Sequence, residues 1–301
     1  MTEMRALITR NMKLYVKDKG VFFTSLITPV ILLVLYVTFL GNVYQDTLDS
    51  IMSGVGVTLS EELAGGFVGG QLVSSLLGVT CVTVAFCANM IMVQDKFNGT
   101  YKDLTMSPVR KSTLGFSYFI ATELNTLIVA CIAICVSFVY LAFMGWYLSV
   151  VDVFLLLINV FLTVTFGTLL SSVVNFFLST QGQVSAIGSA VSSGYGFLCG
   201  AYMPISMLGG VMQNVLAFFP GCYATCLIRN NLMGGALKEM EKQNIPLEVV
   251  NELKNSYDCN LFFFGERVEV WAMYLVVLGT IFALAFVYYA LNKSTEKGNR
   301  K

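Results

Sequence analysis

Thirteen of the eighteen lysines and arginines in this 301-residue chain fall in three short segments, 1–20, 95–113 and 292–301. Long apolar runs separate them. Basic residues are retained on the cytoplasmic side of a bilayer, so this sorting places the three segments on one face and sends the apolar runs across. Composition agrees: 56% of residues are apolar and 12% charged, with a mean hydropathy of +0.74, where soluble domains carry about 25% charged residues.

Six spans are expected, at about 21–40, 71–93, 119–144, 153–172, 184–203 and 268–291, within a single transmembrane domain covering 1–301. Both termini then lie in the cytoplasm. The first run matches the roughly 20 residues a bilayer requires and lacks a small-residue cleavage site, so it reads as an uncleaved span. Pro29 interrupts it, which a membrane helix tolerates when neighbours satisfy the freed carbonyl. The segment 42–70 holds Asp46, Asp49, Glu61 and Glu62 without any Lys or Arg, and belongs outside. Gly65, Gly66, Gly69 and Gly70 form two overlapping GxxxG registers, read either as a close helix contact or as a flexible glycine loop. Trp146 and Tyr147 mark the outer interface of the third span, and counting about 20 residues back from them arrives near Asn125. That count puts Glu123 at the inner interface as a structural acid.

At the N-terminus Met4, Ile8, Met12 and Tyr15 share one helical stripe, with Arg5, Arg10, Lys13 and Lys17 mostly elsewhere. This is the pattern of an amphipathic helix on the inner leaflet. In the fifth span Ser185, Ser189, Ser192, Gly196 and Gly200 form a row of small residues, which suits a tight crossing at a dimer seam or leaves room for a substrate. The apolar stretch after Pro204 ends at Pro220. A full span there would carry Lys293, Lys297, Arg300 and Lys301 to the outside, so a re-entrant or interfacial hairpin on the outer face fits the charge rule. Its backbone must be buried in protein or line water. The external segment as a whole covers 204–267, and between Ala236 and Arg267 it turns polar, with Leu247, Val250 and Leu253 indicating a short amphipathic helix. Trp271 and Tyr288-Tyr289 mark the interfaces of the last span.

The chain has no His, and none of its eight Cys form a CxxC pair, so no metal pattern is present. Cys222, Cys226 and Cys259 fall outside, where one disulfide can form. No GxxxxGK[ST] occurs, so no P-loop cradles a nucleotide, and HExxH and GxSxG are missing as well. No catalytic residue and no cofactor of this chain's own is indicated, and no nucleic-acid partner. Asn98-Gly99-Thr100 and Asn292-Lys293-Ser294 match the glycosylation sequon on the cytoplasmic side, where it is not used.

The polar island 95–113 has a grammar of its own. Asn98-Gly99 breaks the preceding span, Thr100 caps a short helix over 101–106, and Ser107-Pro108 stops it. Asp95, Asn98, Gly99-Thr100, Leu104 and Ser107-Pro108, followed by Arg110-Lys111, resemble the loop after the second span in permeases of the ATP-binding-cassette (ABC) type-two transporter family. This chain has Asp95 where that family usually carries Glu, and Tyr101-Lys102 where it carries Leu-Glu. A second point of resemblance is the order Pro204, apolar hairpin, Phe219-Pro220, then Arg229-Asn230 and Gly234-Gly235. The resemblance implies an all-α membrane subunit of an ABC exporter in a bacterial plasma membrane, paired with a second identical or similar permease. It also implies a separate pair of ATPase subunits carrying ATP and Mg, docked on a cytoplasmic coupling helix at Asp95 to Arg110 and on the N-terminal helix. The substrate stays open. The alternative is an ion-coupled secondary transporter or channel, which should place ionisable groups or broken helices near mid-membrane.

Overall fold

A computed structural model of the chain describes residues 2–298 except Pro108. The expectations resting on Pro108, Arg300 and Lys301 lie outside those residues. With no water inside a bilayer to satisfy backbone groups, apolar runs of this length become helices, and the architecture is all-α apart from one short hairpin. The N-terminal helix α1 (Thr2–Lys17) leads into α2 (Lys19–Leu35), a π-helical turn at Tyr36–Leu40, and α3 (Gly41–Ser53). The centre of the fold is α4 (Glu61–Ala88), continued after a break at Asn89 by α5 (Met90–Phe97). Next come the short α6 (Thr100–Met106), the long α7 (Lys111–Met144), and α8 (Val150–Phe176). The last part holds α9 (Gln181–Leu198), α10 (Gly210–Leu216), α11 (Pro220–Lys242), α12 (Leu247–Ser256) and α13 (Val270–Gly298). Between α12 and α13 two strands, β1 (Leu261–Phe263) and β2 (Glu266–Val268), pair antiparallel with Leu261 opposite Val268.

Among the described residues, five helical stretches are long and apolar enough to cross a membrane: Lys19–Ser53, Glu61–Phe97, Lys111–Met144, Val150–Phe176 and Val270–Ser294. A sixth candidate is the pair α10 and α11, which meet at 94°. The expected fifth span is helical as α9, but its serines, glycines and glutamines leave it less apolar than these five.

The Glu61–Phe97 stretch is the buried one, with 94% of its most apolar window covered by the rest of the chain, whereas the last helix has 11% covered. Glycine makes that possible. A Cβ on Gly65 would stand 2.7 Å from Met144 O, one on Gly70 3.0 Å from Leu232 O, and one on Gly78 2.7 Å from Thr225 Oγ1. The glycine-rich start of α4 is therefore a regular helix whose bare face admits α7 and α11, not a flexible loop.

Residues 42–70, expected outside, are helical over most of their length: α3 prolongs the first helix to Ser53 and α4 begins at Glu61, capped by the Ser60 side chain. Tyr44, Leu48 and Met52, spaced four apart, are buried in the same cluster as Leu63, Phe67 and Tyr257, and that packing outweighs the polarity of the sequence. Tyr288 is buried and donates to Gly115 O at 2.8 Å, while Trp271 and Tyr289 are exposed.

Candidate functional site

The polar loop is anchored just before it begins. At the base of α5 the neighbours Asp95 and Lys96 point to different partners and tie α5 to three other helices. The Asp95 carboxylate is buried, accepts both guanidinium nitrogens of Arg10 from α1 at 2.6 and 2.8 Å, and also accepts the Tyr118 hydroxyl of α7. This bidentate, charge-assisted contact is the strong form of a carboxylate–guanidinium bond. Asp95 in turn raises the Arg10 pKa above its ordinary value. Lys96 donates to the carbonyls of Asn175, Phe176 and Leu178 at 3.2, 2.6 and 3.2 Å, closing the C-terminal end of α8, where a cation meets the negative end of the helix dipole. One step up, Asn89 at the break between α4 and α5 donates to Ser171 and Ser172 of α8, both at 3.2 Å.

From this hub the chain reverses. Gly99 has φ +82° and ψ −13°, a left-handed conformation, and occupies the position before the first turn of α6. Thr100 was expected as the cap, but it is the first helical residue, and no side chain caps this end. No atom lies within 4 Å of where a Cβ on Gly99 would stand, so only backbone conformation demands glycine. Tyr101 and Leu104 pack against the cluster of Leu7, Tyr15, Ile91, Leu114 and Tyr118. Lys102, Asp103 and Met106 face out, and Ser107 Oγ donates back to Leu104 O at 2.5 Å, closing the helix. Asn98 and Arg110 are exposed on either side. Of the residues expected to couple to an ATPase, Asp95 is thus consumed inside the chain, Leu104 is half-buried, and Asn98, Arg110 and the outer face of α6 remain available.

The N-terminal helix has two faces. Leu7, Asn11 and Tyr15 are buried towards α5 and α7, and Tyr15 shares a 2.7 Å hydrogen bond with Ser25 of α2. Arg5, Thr9, Lys13 and Lys17, together with Arg10, line an open basic groove on the other side.

The small-residue row of the fifth expected span divides. Ser185, Ser189 and Ser192 face a cleft between α2 and α9, whereas Gly196 is buried beneath the ring of Tyr202. Gly200 ends the helix with φ +68° and presents its carbonyl to Arg229 at 2.9 Å. The cleft holds two adjoining cavities of about 800 and 650 Å³ that share Ile27, Thr28, Ser189 and Ser192.

At the opposite end from α6, sequence reading missed a buried pair. Arg229 of α11 and Asp258 approach to 3.4 Å with side chains 1% and 2% exposed. Asp258 also accepts the backbone N–H groups of Ile205 and Ser206 at 2.5 and 2.9 Å, just after Pro204. Burial raises the Asp258 carboxyl above its ordinary value, with Arg229 and these donors acting in opposition. Arg229 further reaches Ser74 and Ser75 of α4, both at 3.4 Å. Pro220 opens α11 at its first turn, where its missing N–H costs nothing. Cys222, Cys226 and Cys259 are buried free thiols here, with Cys222 Sγ donating to Leu198 O and Cys226 Sγ to Cys259 O. Glu123, half-buried between α7 and α8, accepts the Thr165 hydroxyl at 2.8 Å.

Comparison with known proteins adds one match: a family model described as ABC-2 type transporter covers residues 2–233. That stretch runs from α1 through the hub, α6 and α9 into α11. No curated protein matches the chain.

Proposed function

We propose that this chain, which belongs to the ABC-2 type transporter family, is the permease subunit of an exporter driven by separate ATPase subunits that dock on the exposed side of α6 and the basic face of α1. The chain is a multi-pass membrane component of an ABC transporter. Coupling, direction and partners are this proposal's content. One observation carries it: α6 sits directly on a junction through which α1, α5, α7 and the end of α8 are bonded to one another by Asp95 and Lys96. A push on α6 therefore moves a rigid base and not a loose linker, as a switching element requires. Both termini and α6 lie in the cytoplasm, where the positive-inside rule puts them. In this reading α10 and α11 form a re-entrant hairpin, α9 crosses as the fifth span, and a second copy of the permease completes the assembly. ATP and Mg are held by the partner.

The test is co-purification with the partner ATPase, followed by ATPase and transport assays in liposomes. Gly99→Val should insert and assemble normally yet lose substrate-stimulated ATP hydrolysis and transport, because a β-branched residue resists the left-handed conformation. Unchanged coupling both in that variant and in one with alanine throughout 101–106 would reduce the segment to a connector. A single Cys at Lys102 should be labelled from the cytoplasmic side and one at Lys242 from outside.

A further inference from the structure

The two cavities of the α2–α9 cleft differ in kind. The one towards α3 is walled by Ile31, Leu35, Phe39, Val43, Phe197 and Met203, with Ser189 and Ser192 at its lower margin. The one towards α5 mixes apolar groups with Gln94, Asn98, Gln181, Ser185 and Asp18. Polarity therefore changes along a single groove whose two halves share four residues. Among the described residues no lysine or arginine lines either half, and Asp18 is the one charged residue that does. The groove opens sideways: only 18% of the apolar window around α2 is covered, and α9 buries just Tyr195 and Gly196 along its length.

We propose that this cleft takes a membrane-dissolved amphiphile, tail towards Phe39 and head towards Gln94, whose head group carries no net negative charge. The proposal rests on reading the chain as a permease and names the substrate class of that path. Lipid tails are as apolar as the wall they would touch, so a tail gains little by leaving the bilayer and selection falls to the head. An anionic head would meet the Asp18 carboxylate with no cation lining the site to pair with it, and an uncompensated charge is costly to desolvate. A zwitterionic or neutral head finds hydroxyl and amide donors and acceptors in Ser185, Ser189, Gln94 and Asn98.

The test uses the full chain, purified in detergent without any ATPase. Trp146 and Trp271 are replaced by Phe, and a single reporter is placed at the rim of both cavities by Ile27→Trp, or on the lipid-facing side of α7 by Ile132→Trp. Phosphatidylcholine and phosphatidylglycerol brominated at the same chain positions are then titrated as quenchers. Phosphatidylcholine should quench the Ile27→Trp reporter saturably and at about fivefold lower mole fraction than phosphatidylglycerol. That ratio corresponds to the roughly 1 kcal/mol between like charges about 4 Å apart in a water-like medium. The Ile132→Trp reporter should show no preference. Asp18→Asn keeps a side chain able to cap α2 and should bring the two lipids close to parity. Equal or reversed preference at Ile27→Trp, or the same preference at Ile132→Trp, overturns the proposal. So does the absence of saturable quenching at Ile27→Trp, which would show the cleft filled by a second copy. Because no ATPase is present, head-group preference without transport in the reconstituted complex would break only the permease reading. Transport without head-group preference would break only this proposal.

Discussion

Two acid–base pairs hold opposite ends of this molecule, and they are built differently. At the α6 end Arg10 and Asp95 meet at 2.6 Å with side chains 30% and 8% exposed; at the other end Arg229 and Asp258 approach only to 3.4 Å and are almost wholly buried. The first pair is close to water and joins whole helices. The second joins α11 to segments where the chain turns, namely Gly200, Ile205 and Ser206 after α9 and Asp258 just beyond α12. A fully buried pair costs several kcal/mol to desolvate and is retained only when other bonds help. Asp258 has that help from two backbone N–H groups and Arg229 from the Gly200 carbonyl. The Arg229–Asp258 pair thus serves as a fixed brace, whereas the Arg10–Asp95 pair lies beneath the helix on which we propose that a partner docks.

The largest effect should come from breaking the brace. Asp258→Ala leaves a guanidinium buried without its counter-charge, and about 3–5 kcal/mol of stability should be lost. Thermal unfolding of the purified protein measures it. Arg229→Met combined with Asp258→Leu should recover part of that loss, and less than all of it, because the N–H groups of Ile205 and Ser206 lose their acceptor. A double variant no more stable than Asp258→Ala would mean that those backbone bonds, not the ion pair, carry the brace.

Breaking the hub should cost less and do something different. Asp95→Asn removes a charge-assisted acceptor, each such bond contributing about 1.5–3 kcal/mol, reduced here because Arg10 still reaches water. The protein should remain folded while ATP hydrolysis by the partner no longer responds to substrate. If Asp95→Asn destabilises as much as Asp258→Ala with coupling intact, the contrast between brace and lever collapses.

Gly99→Ala comes next, at about 1–2 kcal/mol for an L-residue held left-handed, and Gly99→Asn should be milder because asparagine tolerates that conformation. Equal coupling defects in the two would point away from backbone conformation. The smallest effect belongs to Lys96→Met. Losing a cation at a helix C-terminus costs about 0.3–1 kcal/mol, visible as faster amide exchange over the last turn of α8 with little change in the melting temperature.

Much of the segment around α6 was readable in the sequence. Sorted charges mark the segment 95–113, and Asn98-Gly99 marks the reversal, because glycine after a helix is a local signal of left-handed backbone. The role of Asp95 was not readable. Its partner Arg10 lies 85 residues away on another helix, and an acid in a basic loop looks like a surface residue until α1 packs against it. The serine row was visible as a row, but its division between an open cleft and the ring of Tyr202 depends on the turn after Gly200, which no helical spacing encodes.

What the sequence determined by itself is the membrane class, the order of the apolar helices and the polar loop between the second and third of them. These follow from residue-by-residue transfer between water and lipid and from charge in short segments, both of which act locally. Tertiary structure decided which helix is central, how far the first helix extends, and where the polar side chains inside the apolar runs find partners. Arg229 becomes a brace only because Asp258, Gly200 and two serines of α4 converge on it. Buried polar groups must be satisfied, but which groups satisfy them is a matter of packing between segments far apart in the chain.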